Sequence, residues 1–89
     1  MKITTVKVQV AGKSYQLSGT EEPEHFHHLA QMTDRRVTET ALQNPDLGSE
    51  ACAVAAALSL ADELVKAQKI AVRLRRQLEE LQKGQLDEA

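Results

Sequence analysis

The fold is decided by residues 49–83, which read SEACAVAAALSLADELVKAQKIAVRLRRQLEELQK. No proline or glycine interrupts this stretch, and alanine, leucine and long polar residues, which favour helices, fill most of it. Apolar residues recur at alternating spacings of three and four, as at the a and d positions of a coiled coil. We call these residues the seam: Ala57, Leu60, Leu64, Ala67, Ala71, Leu74, Leu78 and Leu81.

The ends of this helix are also marked in the sequence. Ser49 is a good N-cap, and Glu50 places a carboxylate in the first turn, where the helix dipole favours an anion. Gly84 is the predicted stop. We therefore predict a coiled-coil helix over residues 49–84 and a frayed tail over residues 85–89. Such a helix extends roughly 50 Å, so partner chains are expected to cover its seam.

A further set of apolar residues runs beside the seam between Cys52 and Val72. This second stripe comprises Val54, Leu58, Ala61, Val65 and Val72. A wide apolar arc is typical of a helix that is buried on two sides. We therefore expect the first half of the helix to pack on its own N-terminal region and on a partner helix.

Composition restricts the class of protein. The chain has 89 residues, which allows one domain, and its 11 basic and 13 acidic residues give a net charge of −2. This balance gives no general attraction to nucleic acid. The single Cys52 permits no internal disulfide and fits a reducing cytoplasm. No apolar stretch reaches the ~18 residues that a membrane span requires, and residues 1–4 do not resemble a signal peptide.

The first 48 residues predict a small αβ head, and the whole chain is expected to be α+β and oligomeric. Val6, Val8 and Val10 alternate with polar residues, and Gly12 suits a tight turn, which predicts a β-hairpin over residues 3–18 with Lys13 at its tip.

The head continues with a helix. Thr20 is the predicted N-cap of a helix over residues 20–43, and Asn44–Pro45 opens a loop over residues 44–48.

Two groups of residues permit a regulatory alternative, an oligomer that binds a metal or a nucleic acid. His25, His27 and His28 lie near glutamates and could ligate a divalent metal, although a solvated helix start is the more common reason for such a cluster. A run of basic residues could contact nucleic acid or a membrane surface. These residues are Lys66, Lys69, Arg73, Arg75 and Arg76. Acidic residues follow the run within a helical turn, so the solvated outside of a coiled coil explains it better.

The remaining exposed charges are candidates for a partner surface. Lys13, Arg35 and Arg36 are expected on the outside of the head, and Glu50 opens the long helix. We find no nucleophile with a base, no paired carboxylates and no glycine-rich phosphate loop. These residues predict a non-catalytic, oligomerising adaptor without a cofactor.

Two segments carry a resemblance to a known family. Residues 6–17, VKVQVAGKSYQL, resemble the opening hairpin of the ZapA family of cell-division proteins, and residues 56–64, AALSLADEL, resemble the segment that opens its long helix. The order and spacing of the elements between them also match, so the resemblance covers residues 3–83.

This resemblance implies a cytoplasmic adaptor at the midcell division ring. Members of the family bind the tubulin-like division protein FtsZ and bundle its filaments. They form dimers through heads and helix starts, and two dimers join through antiparallel stalks into a tetramer. Lys13 is similar to the basic residue at the family's hairpin turn, and Glu50 to the acidic residue that opens its long helix.

Overall fold

The computed structural model describes the backbone of residues 2–87 and the side chains of residues 2–84. Along the chain lie strand β1 (Thr4–Val10), strand β2 (Lys13–Gly19), helix α1 (Pro23–Gln43) and helix α2 (Ser49–Asp87). The chain divides into two compact units, Met1–Ala57 and Leu58–Ala89. The first unit therefore includes the start of α2, whereas the head was predicted to end at residue 48.

The two strands form an antiparallel hairpin, as their alternating pattern predicts. Val6 lies opposite Leu17, Val8 opposite Tyr15, and Val10 opposite Lys13. The turn consists of Ala11 (φ 53°) and Gly12 (φ 78°), so both residues adopt left-handed backbone conformations. This is the combination required by the two-residue turn that matches the twist of paired strands.

Helix α1 begins at Pro23 and not at residue 20. Glu22 is its N-cap, with an extended backbone (φ −68°, ψ 151°) and no side-chain capping bond. The reason is steric, because a residue that precedes proline is disfavoured in the helical conformation. Pro23 itself is well suited to the first turn. The prediction that Thr20 caps this helix is therefore wrong.

The far end of α1 agrees with the prediction. Both the backbone N–H and the side-chain amide of Asn44 donate hydrogen bonds to the carbonyl of Thr40, at 3.0 and 3.2 Å. Pro45 follows and disfavours continued helix at Asn44. The loop then occupies residues 44–48, as predicted.

The core of the first unit joins the hairpin to α1. Val8 of β1 and Phe26 and Ala30 of α1 are buried. Gly19 lies close to the Phe26 ring, so that an added Cβ would be 3.0 Å from its Cζ atom. The hairpin is therefore held on α1 through β1 and through the end of β2.

One face of the start of α2 is buried in the first unit. Cys52 and Ala56 are 4% and 1% exposed, and the Cys52 thiol donates a 3.8 Å hydrogen bond to the Leu47 carbonyl. Val54, the first residue of the second stripe, is 54% exposed. At about 100° per residue, Val54 lies on the opposite side of the helix from Cys52 and Ala56. Val54 therefore lies on the exposed side of this first part of α2.

Helix α2 continues past Gly84 to Asp87. The predicted stop at Gly84 is wrong. The predicted fraying of residues 85–89 stays a prediction, and residues 88 and 89 lie outside the described part of the chain. Glycine costs about 1 kcal/mol within a helix, which good helix formers on either side can offset. Nothing lies within 4 Å of a Cβ placed on Gly84.

Candidate partner-binding site

Lys13 lies at the end of the hairpin, directly after the turn. It is the first residue of β2 and pairs with Val10 of β1. Residues opposite each other in an antiparallel pair project from the same face. Lys13 therefore shares a face with Tyr15 and with the buried Val8, whereas Lys7 and Gln16 lie on the other face. The Lys13 side chain is exposed on this face, and Tyr15 beside it is 49% exposed.

A carboxylate of α1 holds the hairpin turn. Asp34 Oδ1 accepts a hydrogen bond of 2.8 Å from the backbone N–H of Ala11. This contact fixes the Lys13 end of the hairpin to the helical turn that also carries Arg35. Two of the predicted site residues, Lys13 and Arg35, therefore lie on the hairpin and on α1, which this hydrogen bond joins.

The two arginines of α1 differ in their surroundings. Arg35 is exposed, as predicted. The side chain of Arg36 is only 23% exposed, and its Nε atom lies 4.0 Å from Glu39 Oε2. The prediction that Arg36 is exposed is therefore wrong, because α1 places residue 36 at the border of the packed face. Its backbone carbonyl also accepts a 2.8 Å hydrogen bond from the hydroxyl of the buried Thr40.

Glu50 lies on a different element. It is exposed and occupies the first turn of α2, where the helix dipole stabilises a carboxylate. The Asp34–Ala11 bond that joins Lys13 to α1 does not involve it. Glu50 therefore lies on the surface of the same unit as Lys13 and Arg35, but on a separate element.

The histidines at the start of α1 are exposed. The rings of His25 and Phe26 meet edge to face, with centroids 5.7 Å apart. Within the described part of the chain, no group of three or more histidine, cysteine, aspartate or glutamate side chains is placed to hold a metal ion. No observation favours a role for His25, His27 and His28 in metal binding.

The seam is exposed along almost its whole length in the single chain. Leu60 is half-buried, and Ala57 and the six seam residues from Leu64 to Leu81 are exposed, with Leu74 58% and Leu81 68% exposed. The second stripe is exposed as well. No helix within residues 2–87 combines the length and hydropathy of a membrane span. In the single chain, the apolar side chains of the seam and the second stripe are open to solvent.

Comparison with known proteins settles the family. The family model described as cell division protein ZapA matches residues 6–88. The chain belongs to the ZapA family. The ZapA protein of Geobacillus kaustophilus (strain HTA426) is 33% identical over 85 residues, which cover 96% of this chain and 93% of that protein. The ZapA protein of Bacillus subtilis (strain 168) is 30% identical over 79 residues, covering 89% and 93%.

A solved structure agrees with this assignment. The chain is similar to a ZapA mutant dimer from Geobacillus stearothermophilus, with a TM-score of 0.73 and 32% identity over 89% of this chain and 92% of that one. The resemblance and the α+β class predicted from the sequence are confirmed. The family consists of cell-division proteins, which agrees with the prediction that the chain is not an enzyme.

Sequence reasoning missed Asp34. The turn at Gly12 was visible in the sequence, but the carboxylate that holds it lies 23 residues from Ala11. A single aspartate within a helix has no distinctive spacing. Only the packing of the hairpin on α1 shows that this aspartate reaches the turn.

Proposed function

We propose that this ZapA-family protein binds filaments of FtsZ and cross-links them into bundles, in the cytoplasm at the midcell division ring. The observation that carries the proposal is the exposure of the seam from Leu64 to Leu81 in the single chain. A continuous row of apolar a and d side chains is typical of a surface that another helix covers. An oligomer formed in this way carries several copies of one partner-binding surface.

Several copies are what a cross-linker needs. Each contact with a filament can be weak, because linking binding sites raises the effective concentration for the second contact. The proposed assembly is a homodimer that pairs further into a tetramer. It is supported by the relative described as a dimer and by the presence of two exposed apolar rows, the seam and the second stripe. Two rows on one helix favour more than one neighbouring helix.

The proposed contact with FtsZ lies on the head. Lys13 and Arg35 are exposed basic residues on elements joined by the Asp34–Ala11 bond. Glu50 belongs to the proposed surface through its similarity to the acidic residue of the family. Arg36 contributes less than the sequence suggested, because its side chain is only 23% exposed and its Nε atom lies 4.0 Å from Glu39 Oε2.

The direct test is sedimentation of FtsZ polymerised with GTP. Low-speed centrifugation collects bundles and leaves single filaments in the supernatant. We expect the protein to move FtsZ into the low-speed pellet and to appear there itself. The same mixture with GDP, which does not support filaments, is the control. FtsZ that stays in the supernatant at equimolar protein would contradict the proposal.

The metal-binding or nucleic-acid-binding alternative has no support. The described residues contain no group placed to hold a metal. Lys66, the first residue of the basic run, pairs with Asp62 at 2.8 Å. The family to which the chain belongs is named for cell division.

A further inference from the structure

The hairpin turn contains a residue that is unusual for its conformation. Ala11 has φ 53° and Gly12 has φ 78°. Glycine adopts such values freely, whereas the Cβ of an alanine is sterically disfavoured there. A turn with alanine in this position therefore benefits from a contact outside the hairpin. Lys13 follows it immediately, so the conformation of the turn decides where the Lys13 side chain is presented.

The Asp34 carboxylate provides such a contact. Its Oδ1 atom is 2.8 Å from the N–H of Ala11, a residue that belongs to neither strand. Asp34 is half-buried, so its position is fixed by the packing of α1. Hydrogen bonds to a charged acceptor are stronger than those between neutral groups. The turn is thus tied to the middle of α1 by one short bond.

We propose that Asp34 is a positioning residue of the partner-binding surface: its carboxylate holds the Ala11–Gly12 turn on α1 and so fixes Lys13 relative to Arg35. This inference rests on the proposed function. Without the bond, the hairpin end must be ordered when FtsZ binds, and ordering lowers affinity. Loss of one such bond is expected to weaken binding about fivefold.

Three variants separate positioning from charge. Asp34→Ala removes the acceptor and one negative charge. Asp34→Asn removes the same charge but keeps an oxygen that can accept the Ala11 N–H. Asp46→Ala removes one negative charge from an exposed loop residue of the same unit. Each full-length variant is compared with the wild type by exchange of the Ala11 amide hydrogen, by co-sedimentation with FtsZ filaments and by light scattering for oligomeric state.

We expect Asp34→Ala to speed exchange at Ala11 and to weaken co-sedimentation about fivefold at unchanged oligomeric state. Asp34→Asn and Asp46→Ala are expected to stay within about twofold of the wild type in both measurements. If Asp34→Ala unfolds the head, it is combined with Ala11→Gly, which removes the steric cost of the turn. A folded double variant with weak binding supports the proposal, and one with wild-type binding overturns it.

The other outcomes are also decisive. Wild-type exchange at Ala11 in Asp34→Ala overturns the proposal, because the bond then does not hold the turn. Faster exchange with unchanged binding overturns the positioning role but leaves the proposed function intact. Asp34→Asn and Asp34→Ala could lose binding equally while hydrogen exchange at Ala11 stays unchanged in both. That result would assign the loss to the missing charge and overturn the proposal. If the wild type does not co-sediment with FtsZ, both the proposed function and the positioning role of Asp34 are wrong. Exchange of the Ala11 amide hydrogen still shows in that case whether the bond exists.

Discussion

The unit Met1–Ala57 buries apolar side chains from β1, α1 and α2, whereas in the unit Leu58–Ala89 every side chain from residue 61 to residue 84 is exposed. The two units have a similar share of apolar residues, but they differ in whether these side chains are buried within the unit. In the first, a hairpin supplies a surface on which a helix packs. The second unit, over its described residues, consists of a single helix.

This difference separates the roles of the two units. A helix alone is marginally stable in water, and in proteins its stability comes mostly from packing of its apolar face. The unit Leu58–Ala89 is therefore expected to depend on assembly, while the unit Met1–Ala57 contains a small core of its own and the proposed contact with FtsZ. Changes to the seam should act on assembly, and changes to the hairpin should act on binding.

The largest expected effect follows removal of residues after Val72. This truncation deletes the seam leucines Leu74, Leu78 and Leu81 but leaves the head and the first half of α2. We expect dimers without tetramers in light scattering and a loss of FtsZ bundling. Monomers from the truncated chain would show that heads and helix starts do not pair without the rest of the seam.

A single charge in the seam should have a similar but smaller effect. Leu74→Glu places a carboxylate where the partner helix is expected to pack, and burial of an unpaired charge costs several kcal/mol. We expect loss of the higher oligomer and of bundling, with weak binding to single filaments retained. Leu74→Met keeps the apolar volume and should assemble as the wild type does. Unchanged assembly of Leu74→Glu would mean that residue 74 does not face a partner.

Reversal of the charge at Lys13 should act on binding and not on assembly. We expect Lys13→Glu to weaken co-sedimentation with FtsZ filaments about tenfold at constant helix content and oligomeric state. Lys7→Glu is the matched control, because Lys7 is exposed on the opposite face of the same hairpin. Equal effects of the two variants would show that net charge, and not the position of Lys13, is responsible.

Salt gives an independent measure of the same contact. Raising the salt concentration from about 50 to about 300 mM shortens the screening length to less than half. Wild-type bundling should weaken in the same direction as in Lys13→Glu. If salt and the variant both leave bundling intact, the contact lies on the apolar flank of the head.

The core of the head offers a smaller test. Gly19→Ala would place a Cβ 3.0 Å from the Cζ atom of the buried Phe26 ring. We expect a loss of about 1 kcal/mol in the free energy of unfolding, since overpacking at the lower end of its range costs this much. Thermal denaturation measures it, and Gly48→Ala is the control because nothing lies within 4 Å of a Cβ there. A stabilised Gly19→Ala variant would show that the ring moves aside without cost.

Local patterns predicted much of this fold. Alternation of Val6, Val8 and Val10 with polar residues gave the strand, because the period of two is set by the pleat itself. The end of α1 at Gln43 followed from Asn44–Pro45. The start of α1 was predicted too early, because Pro23 keeps Glu22 out of the helical conformation whatever the capping ability of Thr20.

The features that local patterns did not predict depend on tertiary packing. Which face of α2 meets the head is decided by the small residues Cys52 and Ala56, which no hydrophobicity pattern distinguishes from their neighbours. Likewise, half-burial of Arg36 and the reach of Asp34 to Ala11 follow from how the hairpin docks on α1. The seam and the proposed site at Lys13, Arg35 and Glu50 stay predictions, since their partners are other chains.

The smallest expected effect concerns Lys66 on the outer surface of α2. Its hydrogen bond to Asp62, and then the Asp62 charge, raise the pKa of Lys66 above its ordinary value of 10.5. A raised pKa adds stability that is fully present below the unfolded value and is lost as the pH rises through the folded one. Both side chains are highly exposed, so the contribution of this pair to stability is small.

Asp62→Asn should leave the melting temperature at neutral pH within about one degree of the wild type. It should also return the pKa of Lys66, followed by NMR, towards 10.5. Neither residue is part of the seam, so oligomeric state should not change. A variant that dissociates as Leu74→Glu is expected to do would place Asp62 against a partner helix and overturn the assignment of the seam.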